Sequence, residues 1–113
     1  MKRFLALYIG SASPEQKAAA DIPQDVVERG MAAWGAWMAE HAAAVVDAGG
    51  PLGRTKLASP DGVTDTRNDI TGYVVVQAES LEAAAQLFER HPHFAIFPGS
   101  GVEIIECLPM PGA

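Results

Sequence analysis

Apolar side chains recur along this chain with two different periods, and the changes of period mark out its elements. Phe4 to Ile9 is an unbroken apolar run closed by Gly10, which predicts a β-strand over residues 2 to 9. From Gly10 to Ile22 the chain is small and polar, a loop or loose helical turn. Pro23 suits the first turn of a helix, Asp25 and Glu28 favour its positive end, and good helix formers continue to Gly49-Gly50-Pro51, which predicts a helix over 24 to 48. At about 100° per residue, Val27, Met31, Trp34, Trp37, Met38, His41, Val45 and Ala48 share one arc, with Asp25, Arg29, Glu40 and Asp47 opposite. Such a helix buries one face.

Leu52 to Ala58 reads as a short strand, and Ser59-Pro60-Asp61-Gly62 as a turn opening a polar loop to Asn68. Ile70 to Ala78 has the β-branched and aromatic content of a central strand. Ser80 then caps a second helix on which Leu81, Ala84, Ala85 and Phe88 recur at helical spacing up to Arg90. His91-Pro92-His93 ends it, Phe94 to Gly101 is an apolar loop, and Val102 to Leu108 is the last strand. The order β-α-β-β-α-β predicts an α+β, ferredoxin-like fold in which two helices cover one face of a four-stranded antiparallel sheet. Strands 4 to 9 and 70 to 78 are apolar at odd and even positions alike, so the second sheet face also needs cover. At about 25 cal/mol per Å² of apolar surface, that face favours a sheet-to-sheet homodimer.

A chain of 113 residues predicts a single domain spanning 1–113, and 49% hydrophobic against 19% charged residues excludes a disordered tail. The net charge of -6 argues against phosphate backbones and anionic lipid, so neither nucleic acid nor membrane is an expected partner. Lys2-Arg3 before an apolar run imitates a secretory signal, but the run is too short and holds Tyr8. A single cysteine, Cys107, forbids an internal disulfide and suits a reducing cytoplasm, with the thiol expected as a small buried residue.

The segments Trp34-Gly35-Ala36-Trp37-Met38, Gly49-Gly50-Pro51-Leu52, Gly72-Tyr73-Val74-Val75-Val76, Ser80-Leu81-Glu82-Ala83-Ala84, His91-Pro92 and Val102-Glu103-Ile104-Ile105, in this order and spacing, resemble the YCII-related family over nearly the whole chain. The resemblance implies a dimeric α+β barrel with a ligand-sized cleft in each protomer. Activity within that family includes cofactor-free dehydrochlorination of a chlorinated aromatic by a paired His and Asp. Two departures stand out. Asp61-Gly62-Val63-Thr64 occupies the region where the DGPF branch carries its tetrapeptide, and the catalytic histidine of the enzymatic branch falls at about Ala33 or Trp34, neither of which transfers a proton.

His41, on the apolar arc, is the first candidate for proton transfer, set against the plain alternative of a hydrogen-bonded core histidine. His93, beside the apolar stretch Phe94-Ala95-Ile96-Phe97, is the second. Trp34 and Trp37 pack the core or wall a cleft for a flat hydrophobic ligand, with Tyr73 and Glu103 as further ligand contacts. His91 and His93 have the spacing to begin a metal site but lack a third ligand, so neither metal nor cofactor is expected, and His91 is assigned to the negative end of the second helix. Glu103 and Glu106 point to opposite sheet faces, and whichever meets the apolar side needs Arg3 or Arg54 as partner. Two functions remain: a cofactor-independent small-molecule enzyme or ligand-binding protein with a hydrophobic cleft, and a non-catalytic dimeric protein-interaction domain. A cavity lined by His or Glu favours the former, a filled interior the latter.

Overall fold

The computed structural model describes residues 1–10 and 22–112, so the expected loop or turn after Gly10 lies largely outside the described residues. Among the described residues six strands and three helices form, in the order β1 (Lys2–Ile9), α1 (Gln24–Glu40), β2 (Val45–Pro51), β3 (Thr55–Ser59), β4 (Gly62–Thr66), β5 (Ile70–Ala78), α2 (Leu81–Gln86), α3 (Pro92–Ala95) and β6 (Gly101–Glu106). Strands β2-β5-β1-β6 make a four-stranded antiparallel sheet, the ferredoxin-like order expected from the sequence.

Alternation along the two central strands sorts the side chains. Phe4, Ala6 and Tyr8 of β1 and Val74, Val76 and Ala78 of β5 are buried beneath the helices, where Trp37, Ala84 and Phe88 complete the core. On the opposite face Leu5 pairs with Val75 and Ile105, and Leu7 with Tyr73 and Glu103. Among the described residues no element covers that second face, and Ile105 is 46% exposed on it.

Several boundaries differ from the expectation: α2 ends at Gln86 rather than Arg90, β6 runs Gly101–Glu106 rather than Val102 to Leu108, and three changes are larger. The first helix stops at Glu40 instead of continuing to 48, because Val45–Pro51 is the edge strand β2. Gln77 secures that entry, its backbone N–H donating to Ala44 O at 2.8 Å and its side chain to Ala43 O at 3.0 Å. Residues 52 to 58 do not supply the second sheet strand. Thr55–Ser59 pairs with Gly62–Thr66 in a separate exposed hairpin, turning at Ser59-Pro60-Asp61-Gly62 where Gly62 has φ +108°. Finally, Pro92 opens the short helix α3 inside the expected apolar loop, with His91 as its N-cap.

Ser80 caps α2 as expected, accepting from the Ala83 N–H at 3.0 Å. Cys107, expected as a buried residue, is exposed just beyond β6, where its backbone N–H still donates to Arg3 O at 3.0 Å but its side chain lies on an uncovered edge. Glu103 and Glu106 are exposed too, because β6 is an edge strand, so neither needs a buried cationic partner.

Candidate functional site

Between α1, the α3 loop and the β2–β5 side of the sheet lies a cavity of about 420 Å³. Tyr8, Trp34, His93 and Phe97 form its aromatic side; Val27 and Met31 of α1 and Pro51 and Tyr73 of the sheet add to its walls. Glycines shape it. Gly72 pairs with Tyr8 across the sheet, and a Cβ there would lie 3.1 Å from Tyr8 Cδ2. Gly30 lets α1 approach the Phe97 ring, which any Cβ would meet, and Gly99 passes against the ring and carbonyl of His93 in the same way.

Tyr8 stands at the centre of a ring cluster. Its centroid is 4.9 Å from Trp34, 5.1 Å from His91 and 5.2 Å from His93, and Trp34 meets His91 edge-on at 4.6 Å. Behind this layer, Trp37 packs against His91, Phe88 and His41.

Hydrogen bonds assign the histidine protons. The His93 backbone N–H donates to His91 Nδ1 at 3.0 Å, a side-chain cap for an N–H that the start of α3 would otherwise leave without a partner. Nδ1 therefore carries the lone pair. A neutral His91 has its proton on Nε2, which donates to Tyr8 Oη at 3.3 Å. His91 is fully buried, and its pKa is pulled down to about 4, first by burial and then by positive charge at His93 and His41. Burial likewise raises the Tyr8 phenol well above its ordinary range, so both groups are neutral at pH 7. His93 donates from Nε2 to Ile9 O at 2.8 Å, which puts the lone pair of its neutral ring on Nδ1.

Of the residues singled out from sequence, Trp34 and His93 come together around the cavity; Tyr73 borders it from β5 but pairs with Leu7, on the other sheet face. His41 lies outside the lining at the end of α1, where its Nδ1–H donates to Trp37 O at 2.9 Å and its ring lies 4.6 Å from Trp37. Trp37 is also outside the lining, in the core, donating from Nε1 to Leu87 O at 2.9 Å. Glu103 is on the other sheet face opposite Leu7. His91 departs from its assignment: the imidazole caps the start of α3 rather than sitting at the C-terminal end of α2, because proline at the next position begins a new helix. Sequence reasoning also missed Tyr8, whose odd-even position on β1 was the available signal: it shares the Phe4 and Ala6 face. Among the described residues no group of three or more His, Cys, Asp or Glu could hold a metal.

Comparison with solved structures finds the same fold in the 5-chloro-2-hydroxyhydroquinone dehydrochlorinase of Burkholderia phenoliruptrix AC1100, determined in complex with 2,5-dihydroxybenzoquinone. The TM-score is 0.52 at 19% identity, with 94% of this chain and 93% of that one covered. No family model and no curated protein matches the sequence.

Proposed function

We propose that this chain is a YCII-related, cofactor-independent small-molecule enzyme or ligand-binding protein whose cleft takes one flat hydrophobic or aromatic molecule. The carrying observation is the cavity of about 420 Å³, a ligand-sized space with mostly apolar walls and a few polar residues, Tyr8 and His93 among them. A dihydroxybenzoquinone complex of a protein with the same fold supports a ring-shaped occupant. Trp34 is the ligand wall in this reading, with Tyr73 bordering the cavity only from its strand, since it pairs with Leu7 of the other sheet face. His93, at the cavity lining, is the proton-transfer group of this reading, taking the proton of a phenolic or enolic O–H of the ligand as that bond breaks. Trp37 and His41 serve the site from behind, steadying the end of α1 that carries Trp34.

The protein acts in this proposal as a cytoplasmic homodimer joined through the uncovered sheet face with Leu5, Leu7, Val75 and Ile105. Half-exposed apolar side chains there support it. The single exposed cysteine accords with a reducing compartment. No helix among the described residues is long and apolar enough to cross a membrane.

The test is an amide NMR titration with 2-naphthol. Saturable shifts are expected at Tyr8, Trp34, Gly72 and His93, and Trp34→Ala should remove them. No shifts, or shifts only on the uncovered sheet face, would refute a ligand cleft. Light scattering tests the dimer: the expected mass is twice the 11.9 kDa chain, and 11.9 kDa at working concentration refutes it.

A further inference from the structure

We infer that Tyr8 is a fixed hydrogen-bond donor into the cavity, aimed by His91, and that it restricts the ligand to molecules presenting a carbonyl or other acceptor oxygen at that point. This rests on the ligand-binding reading above and adds the chemical class of the ligand.

The argument begins at α3. Capping by the His93 N–H commits His91 Nδ1 as an acceptor. The neutral ring then has one proton left, on Nε2, and the acceptor within reach is Tyr8 Oη at 3.3 Å. A phenol oxygen that accepts in this way keeps its own proton for another partner. The hydroxyl of Tyr8 makes no second hydrogen bond among the described residues, although Tyr8 is only 4% exposed and lines the cavity. A buried donor without an acceptor is costly, and an acceptor oxygen on a bound molecule removes that cost. Tyr8 and His91 cannot exchange roles, because a proton on Nδ1 would face the N–H of His93.

Selection follows from that one-way arrangement. A ligand carbonyl, quinone oxygen or oxyanion meets a donor. An apolar group of the same shape leaves the hydroxyl unpaired. His91 is a positioning residue here: it touches Tyr8 and not the ligand space, and it decides which way the phenol proton points.

Acetophenone and α-methylstyrene form a matched probe pair, the carbonyl oxygen of one replaced by a methylene in the other. Binding of each to the full-length chain is measured for wild type and Tyr8→Phe, a change that keeps the ring and removes the hydroxyl. Tyr8→Phe should weaken acetophenone about tenfold relative to α-methylstyrene. Equal changes for the two probes would overturn the inference while leaving the ligand cleft standing. Failure of both probes to bind wild type would instead sink the cleft, and the assigned ligand class with it. Two measurements on wild type do not depend on the variant folding. Long-range proton–nitrogen NMR should find the His91 proton on Nε2, and carbonyl-labelled acetophenone should shift downfield on binding relative to its position in cyclohexane. A proton on His91 Nδ1, or an unshifted carbonyl, would overturn the proposal.

Discussion

Tyr8 and His91 stand 83 residues apart in the chain, yet Tyr8 Oη and His91 Nε2 lie 3.3 Å from one another in the interior. The contact joins the first strand to the cap of α3, so the cleft wall and the loop that closes it share one hydrogen-bond relay.

Acid should loosen this relay. The His91 pKa falls from the usual 6.5 to about 4 on folding, so the unfolded chain binds more protons between those values and stability drops as pH drops through that window. The full contribution is present above about pH 6.5, and its loss amounts to at most about 3 kcal/mol. Urea melts at pH 7 and pH 5 check the slope, and His91→Gln should flatten it. An equal slope in that variant would assign the acid sensitivity elsewhere.

The two tryptophans should separate binding from stability. Trp34→Ala removes a cleft wall and should reduce affinity for 2-naphthol by about tenfold or more. Trp37→Phe strands the Leu87 carbonyl and should cost about 1–3 kcal/mol of stability with affinity little changed. Paired calorimetric titrations and melts would show the reverse pattern if Trp37 were the ligand wall.

At Gly99, alanine would place a Cβ against both the ring and the carbonyl oxygen of His93, so rotating the ring alone cannot relieve it. Gly99→Ala should lose about 1–3 kcal/mol and disturb the His93 bond to Ile9 O. The His93 ring resonances report that displacement, and unmoved resonances would place the strain elsewhere.

Leu7→Lys should yield a monomer. Leu7 pairs with Glu103 and Tyr73 on the uncovered face, where a lysine stays hydrated in the monomer but would be buried between two sheets. Light scattering of the variant should give 11.9 kDa, while a persistent dimer would locate the interface on another surface.

Local chemistry by itself determined several elements of this chain. The β1 run, the β5 span Ile70–Ala78, the Ser80 cap and the turn at Ser59-Pro60-Asp61-Gly62 each follow from side chains adjacent in sequence, and the ferredoxin-like sheet order was legible although its second strand is Val45–Pro51 and not residues 52 to 58. Tertiary structure decided the rest. Ala42, Ala43 and Ala44 carry a helical preference past Glu40, but pairing of Val45 with Val76 and the Gln77 hydrogen bonds favour a strand. A propensity of a few tenths of a kcal/mol per residue yields to a sheet edge that satisfies backbone groups. The site is decided the same way. Trp34 and His93 were legible as aromatic or titratable groups beside apolar runs, whereas Tyr8 and His91 acquire their chemistry only from each other. Hydrogen-bond direction depends on which nitrogen a distant backbone N–H has already claimed, and spacing along the chain carries no record of that.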